Sequence, residues 1–170
     1  MTENSLHYPV VLFDWGDTVM YDDPALTVPM VEWTTVRVVE GITDVLADLH
    51  ASGRRSIIAT GALISDEGQI RGALARGGLD SYFSRIYCFK NTELPKGEAF
   101  YRHILSDLNV HGSDVVMVGD MYEKDVLAAN AAGIFGVWFN QKSGETRNTE
   151  LHTTVHSMVD LRTFFRMFGK

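Results

Sequence analysis

Short runs of consecutive apolar residues alternate with segments of helical periodicity along most of the chain. An apolar run of this length is typical of a strand that is buried on both faces of a sheet. The runs that predict strands are residues 9–13, 56–59, 85–89, 114–118 and 135–139. A weaker signal at residues 153–156 predicts an additional strand at the edge of the sheet.

The segments between these runs carry the spacing of amphipathic helices. Ile42, Val45, Leu46 and Leu49 follow the i, i+3, i+4, i+7 rule and predict a helix that ends near the glycine at position 53. Similar patterns predict helices over residues 66–76, 100–108, 126–131 and 161–167. Residues 140–150 are polar and predict a loop.

This alternation of strands and helices predicts an α/β fold. Strands separated by single helices form a parallel sheet with helices on both faces. We therefore expect a doubly wound, three-layer, Rossmann-like sheet of about five core strands plus an edge strand. The chain has 170 residues and no internal repeat or linker, so we expect a single domain over residues 1–170.

Composition narrows the class of protein further. Hydrophobic residues make up 45% of the chain and charged residues 22%, which is typical of a globular domain. The net charge of −7 repels polyanions and disfavours a nucleic-acid partner. The single cysteine, Cys88, predicts a reducing compartment. The sequence shows no targeting signal or apolar segment of membrane-spanning length, so we expect a cytoplasmic protein without a membrane partner.

Chemically useful side chains follow four of the predicted strands. In a parallel sheet, ligands bind beyond the carboxyl ends of the strands. The residues found there are Asp14, Gly16, Asp17, Thr60, Gly61, Lys96, Asp120 and Asp125. Taken singly, each has a structural interpretation, because aspartate is common in turns and helix caps, threonine caps helices, and lysine is usually solvated. Their joint occurrence at one edge of the sheet is more specific.

These four segments resemble, in order and position, the motifs of the haloacid dehalogenase-like (HAD) hydrolase superfamily. That family has Asp-x-Asp-x-Thr after a hydrophobic strand, then a strand ending in Thr or Ser, then a Lys often beside Pro, then Gly-Asp with a second Asp. The matching residues are Asp14-Trp15-Gly16-Asp17-Thr18, Thr60, Pro95-Lys96, and Gly119-Asp120 with Asp125. The resemblance spans about residues 9–140.

The resemblance implies phosphoryl transfer through a covalent intermediate. Asp14 would be the nucleophile and form an aspartyl-phosphate, which splits one difficult step into two. Thr60 and Lys96 would be the other catalytic residues, and both would bind the phosphoryl group together with Gly61. The implied partner is a phosphorylated small molecule or macromolecule.

The resemblance also implies a metal cofactor. Mg²⁺ is a hard cation that prefers oxygen ligands and would reduce the repulsion between a carboxylate nucleophile and a phosphate. Its ligands would be Asp14, the backbone carbonyl of Gly16 and Asp120. Asp125 would support that shell or hold a bound water.

One position departs from the family's pattern. Gly16 stands where family phosphatases have a second Asp that protonates the leaving oxygen and later activates water. Such acid–base help is worth about 10²- to 10⁴-fold, so hydrolysis of alkyl phosphates is expected to be slow. Asp17 could substitute, although adjacent residues of an extended chain point in different directions.

The spacing of the motifs leaves no room for a cap domain. The connection before Thr60 holds one helix and a segment of about residues 19–36, which we call the flap. Met20, Tyr21, Met30 and Trp33 of the flap could contact a substrate or partner, or close over the protein's own core. An uncapped site would admit bulky substrates or be covered by a second copy in a homo-oligomer.

These observations favour an Mg²⁺-dependent phosphomonoester hydrolase and leave two alternatives open. The missing acid–base residue at position 16 is also consistent with a catalytically weak module that binds phosphoesters or takes part in interactions. A carbon–halogen or carbon–phosphorus hydrolase is the other alternative, because those branches of the family also lack the second Asp.

Overall fold

The computed structural model describes residues 7–168 and contains one six-stranded sheet. The strands lie in the order β3-β2-β1-β4-β5-β6, and all neighbouring strands are parallel. They are β1 (Val10–Phe13), β2 (Arg55–Ala59), β3 (Phe83–Tyr87), β4 (Val115–Gly119), β5 (Phe135–Phe139) and β6 (His152–Val155). The predicted fold class, including the additional edge strand, is confirmed.

Within residues 7–168, six α-helices accompany these strands. They are α1 (Ile42–Ala51), α2 (Glu67–Arg76), α3 (Phe89–Thr92), α4 (Glu98–Leu108), α5 (Ala128–Ala131) and α6 (Met158–Met167). Single 3₁₀ turns cover Met30–Glu32, Asp80–Tyr82 and Gly112–Asp114, and a π-helical turn, Tyr122–Leu127, leads directly into α5. In the part of the chain that the structure describes, no helix has the length and apolarity needed to cross a bilayer.

The sheet separates two apolar cores, which explains why β1 is apolar at every position. Val11 and Phe13 face the core formed with α1, α2 and α6. Val10 and Leu12 face the opposite core, formed with α4 and α5. Since side chains alternate between the two faces of a strand, a strand covered on both sides has no polar face. The result is the predicted three-layer arrangement.

The position of β1 and β4 at the centre of the sheet creates a crevice at their carboxyl ends. From β1 the chain proceeds outwards to β2 and β3, and from β4 it proceeds in the other direction to β5 and β6. In open α/β sheets, ligands bind where the strand order reverses in this way. The residues that follow β1 and β4, Asp14 and Asp120, therefore lie on either side of this point.

The third strand differs from its prediction. It spans Phe83–Tyr87, and Phe89 begins the short helix α3 instead of ending the strand. The reason is the Asn91 side chain, which accepts a hydrogen bond from Cys88 N at 2.9 Å and donates one to Ile86 O at 2.8 Å. These bonds satisfy backbone groups that a longer strand would have used, so the chain turns.

The connections on either side of β2 contain no additional folded unit. In residues 14–82, all of which the structure describes, they hold only α1, α2, two 3₁₀ turns and isolated bridges. The flap is attached to α2 through Arg76, whose guanidinium donates to Val31 O and Trp33 O at 2.9 and 2.6 Å. Met20 and Met30 are buried in the core formed with α1, α2 and α6, which favours the interpretation that the flap closes over the protein's own interior.

Candidate active site

Three carboxylates from two segments meet at the central crevice. Asp14 follows β1 directly, and its backbone N–H donates to Val118 O at 2.9 Å, so it continues the pairing with β4. Asp120 follows β4, and Asp125 lies in the π-helical turn after it. One oxygen from each carboxylate lies within 4.8 Å of the others. The topology thus brings together residues that are more than 100 positions apart.

Lys96 provides the cation within this cluster. Its Nζ lies 2.8 Å from Asp14 Oδ1 and also contacts Asp125 Oδ1. Only 5% of the Lys96 side chain is exposed, so it is not an ordinary solvated lysine. Its aliphatic stem lies against Gly61, where an added Cβ would stand 3.4 Å from Lys96 Cβ. The absence of a side chain on Gly61 therefore leaves space for the buried lysine.

Asp125 is positioned by its own turn and by the preceding strand. It is fully buried, and its Oδ2 accepts a hydrogen bond from Met121 N at 2.8 Å. Its Oδ1 contacts Lys96 but accepts no hydrogen bond of good geometry from the residues described. Gly119 lies directly beneath this carboxyl group, and a Cβ there would overlap it. The Gly-Asp pattern therefore has a steric cause in addition to any chemical one.

We expect Gly119→Ala to destabilise the protein by about 1–3 kcal/mol, because the added methyl must displace a fully buried carboxylate from its contact with Lys96. Urea unfolding would measure the loss. Gly144→Ala is the matched control, since a Cβ at Gly144 meets no atom within 4 Å. Equal stability of the two variants would contradict this account of Gly119.

Burial changes the protonation of these groups. It raises the pKa of Asp120 to about 8, and the hydrogen bond and charge of Asp14 add to the effect. Burial also raises the pKa of Asp125 to about 7, with the charge of Asp14 adding and that of Lys96 opposing. For Lys96 burial alone would lower the pKa, but the charges of Asp125 and Asp14 outweigh burial, so its pKa lies well above its usual range. Lys96 is therefore an ammonium at neutral pH.

The donor set fits a divalent cation. When ionised, the three carboxylates Asp14, Asp120 and Asp125 exceed the single charge of Lys96 by two negative charges. Hard divalent ions prefer carboxylate oxygens as ligands.

Thr60 lies on the other side of the crevice, at the end of β2. It is 4% exposed, and its Oγ accepts a hydrogen bond from Ala62 N at 3.1 Å, which leaves the hydroxyl hydrogen free to donate. It does not cap the following helix, because Asp66 does so through a capping box with Gln69. The hydroxyl is therefore available to a ligand.

A cavity of about 670 Å³ opens over these groups. This volume is typical of a small-molecule site. Its floor is formed by the strand-end residues, and its wall includes residues of the flap. The predicted site residues that line it are Asp14, Gly16, Thr60, Gly61, Lys96 and Asp120. Asp125 lies beneath them, in contact with Lys96.

The segment after Asp14 contains three features that the sequence did not predict. Asp17 adopts a left-handed backbone conformation, with φ 58°, and its Oδ1 accepts a hydrogen bond from Asp22 N at 3.0 Å. Thr18 is fully buried and donates to Asp120 Oδ1 at 3.3 Å. Asp22, an acidic residue of the flap, lies beside Gly16. The adjacent acids Asp22 and Asp23 were the only sequence signal for it.

Comparison with known proteins identifies a family that matches this chain. The family model described as haloacid dehalogenase-like hydrolase matches residues 28–139, about two thirds of the chain. The haloacid dehalogenase-like hydrolase domain-containing protein 3 of Danio rerio is 30% identical over 92 residues, which are 54% of this chain. The chain covers only 38% of that relative's length.

Solved structures of low sequence identity share the fold. An uncharacterized protein from Listeria monocytogenes has a TM-score of 0.80 at 21% identity, with 94% of this chain and 97% of that chain covered. A HAD phosphatase from Thermococcus onnurineus has a TM-score of 0.76 at 19% identity, with 95% of this chain and 98% of that chain covered. A 2-haloacid dehalogenase from Pseudomonas syringae has a TM-score of 0.70 at 16% identity, with 93% of this chain and 98% of that chain covered.

The segment matched by the family model begins after Asp14. The assignment of Asp14 to the candidate site therefore rests on the fold and not on that match. The fold places Asp14 beside Lys96 and Asp120, both of which lie inside the matched segment. The family model matches more than half of the chain and the solved structures share its fold, so the chain belongs to the haloacid dehalogenase-like hydrolase family.

Proposed function

We propose that this protein is an Mg²⁺-dependent phosphomonoester hydrolase that acts through an aspartyl-phosphate at Asp14. The observation that carries the proposal is the meeting of Asp14 with a buried ammonium, Lys96, on the floor of an open cavity. A buried cation beside a carboxylate nucleophile is what attack on a phosphate dianion requires, because the two reactants otherwise repel each other.

The chain's own residues provide most of the chemistry. An oxygen of Asp14 would bond to phosphorus while the bond from phosphorus to the leaving oxygen breaks. Lys96 and the free hydroxyl hydrogen of Thr60 would donate to the phosphoryl oxygens and hold them in line. Water would then release phosphate and restore the Asp14 carboxylate.

Asp14, Asp120 and the backbone carbonyl of Gly16 would hold Mg²⁺, and Asp125 would support that shell. When bound, the ion would offset the excess negative charge of the carboxylates and of the phosphate. Since Gly16 has no side chain, a proton for a poor leaving group must come from another residue or from water.

The rim of the cavity favours a substrate with an apolar or aromatic leaving group. Five exposed apolar side chains line the opening, each between 43% and 64% exposed. They are Leu26, Val28, Leu63, Ile64 and Met121. A phosphorylated small molecule or macromolecule could bury these side chains while its phosphate reaches Asp14, and a second copy of the chain could cover the same rim.

Metal removal tests the proposal. We expect phosphate release from 4-nitrophenyl phosphate in the presence of Mg²⁺, and a loss of at least about 100-fold in EDTA, because the carboxylates would then repel the substrate. Asp120→Asn should reduce the effect of Mg²⁺, whereas Asp23→Asn, an exposed acid of the flap, serves as the matched charge control.

Two other outcomes would point elsewhere. The structural likeness to a 2-haloacid dehalogenase keeps a carbon–halogen hydrolase as the second candidate. Halide release from 2-haloacids without phosphate release would establish it. Saturable binding of phosphate esters with no turnover would instead indicate the weak binding module.

A further inference from the structure

The side chain of Asp22 occupies the space beside Gly16. A Cβ built on Gly16 would stand 3.3 Å from Asp22 Cβ and 3.6 Å from Asp22 Oδ2. Gly16 does not have a left-handed backbone, so its φ angle does not require glycine there. What glycine provides is room, and the group that uses this room is a carboxylate from six residues further along the chain.

The contacts of Asp22 leave one of its oxygens free and facing the site. Its Oδ1 accepts a hydrogen bond from Asp23 N at 2.9 Å, and its backbone N–H donates to Asp17 Oδ1 at 3.0 Å. Within residues 7–168, its Oδ2 has no hydrogen-bond donor. Asp22 lines the same cavity as Asp14, and its Oδ2 lies on the side of Gly16.

The neighbouring acids are less suited to the same role. Asp17 uses its Oδ1 to hold Asp22 N, and its Oδ2 lies 3.9 Å from Lys142 Nζ. Asp23 uses its Oδ1 to accept a hydrogen bond from Ala25 N at 3.0 Å. The side chain of Asp17 therefore fixes the flap so that Asp22 faces Gly16, and the expectation that Asp17 itself replaces the missing acid is not favoured by its contacts.

We propose that Asp22 is the general acid and base of the reaction, supplied by the flap in place of the residue missing at position 16. The proposal rests on the proposed phosphomonoesterase function. In the first step, Asp14 bonds to phosphorus, the bond to the leaving oxygen breaks, and the Asp22 carboxyl transfers its proton to that oxygen. In the second step, the Asp22 carboxylate takes a proton from water, whose oxygen bonds to phosphorus as the bond to Asp14 breaks. Phosphate is released and both aspartates return to their initial state.

Asp22→Asn tests this role with little structural change, because the amide oxygen can still accept the hydrogen bond from Asp23 N. The substrates should be 4-nitrophenyl phosphate, whose leaving group needs no proton, and 2-phenylethyl phosphate, whose alkoxide leaving group does. Both carry an aromatic ring, so contacts with the apolar rim are matched. Asp23→Asn is the control, as it removes the same charge one residue away.

We expect Asp22→Asn to lower kcat/KM for 2-phenylethyl phosphate by about 100-fold and that for 4-nitrophenyl phosphate by less than about 3-fold. Because the second step also loses its base, the variant should accumulate protein that carries one phosphoryl group, detectable by intact-protein mass spectrometry during turnover of the aryl ester. Asp23→Asn should show neither change.

Different results separate this inference from the proposed function. Equal effects of Asp22→Asn on the two esters, or no effect on either, would overturn the role of Asp22 while turnover of the aryl ester still supported a phosphatase. If the unmodified protein hydrolyses neither ester in the presence of Mg²⁺, the proposed function and the role of Asp22 are overturned together.

Discussion

Replacing Asp14 by Asn should reduce phosphate release from 4-nitrophenyl phosphate by roughly 10⁴- to 10⁶-fold, the range found when a catalytic nucleophile or its partner is removed. An amide cannot form the acyl-phosphate bond that the proposed mechanism requires. The substitution should leave the fold intact, because Lys96 keeps its contact with Asp125 and the cluster loses one of its mutually repelling carboxylates. Phosphate release measured beside urea unfolding would check both points.

Trapping gives the matching evidence for the covalent step. Protein quenched with acid during turnover should carry one phosphoryl group at Asp14, and the Asn variant should carry none. Turnover that survives in Asp14→Asn at more than about a hundredth of the original rate would rule out Asp14 as nucleophile and would require another group on the cavity floor to attack phosphorus.

Lys96→Met should destabilise the metal-free protein by about 3–5 kcal/mol at pH 8, because it removes the only ammonium in contact with Asp14 and Asp125 within the residues described. Turnover should fall by roughly 10³-fold, since the phosphoryl oxygens lose their buried cation. Lys124→Met is the control for stability, because Lys124 lies exposed at the rim of the same cavity.

The pH dependence of stability has a definite sign. Asp120 and Asp125 have folded-state pKa values of about 8 and about 7, against an ordinary value of 3.8. Groups with a raised pKa stabilise the fold below their unfolded pKa, and this contribution is lost as pH rises through the folded pKa. The metal-free protein should therefore be less stable at pH 8 than at pH 5.5.

Lys96→Met should make this pH dependence steeper, because a carboxylate that loses its counter-ion is costlier to ionise. Urea unfolding at the two pH values, in EDTA, measures it. The opposite slope, or a variant as stable as the unmodified protein at pH 8, would contradict the electrostatic account of the cluster.

The strands and helices could be predicted from the sequence because patterns of neighbouring residues determine them. Residues 135–139 form β5 as predicted, and Ile42, Val45, Leu46 and Leu49 are the buried face of α1. A strand buried on both faces of the sheet must be apolar at every position, and a helix that packs through one face must carry an apolar stripe. Both patterns can therefore be recognised in the sequence. The predicted end of β3 was wrong because the Asn91 side chain, not hydrophobicity, determines where the chain turns.

The carboxylates and the lysine at the strand ends could also be selected from the sequence, since parallel strands bring their carboxyl ends to one edge of the sheet. The contacts that these side chains make could not be predicted from the sequence. Only the tertiary structure places Lys96 against Asp14 across 82 residues, buries Asp125 over Gly119, and brings Asp22 into the space beside Gly16. Such contacts depend on how distant segments pack, and no periodicity or spacing along the chain records that packing.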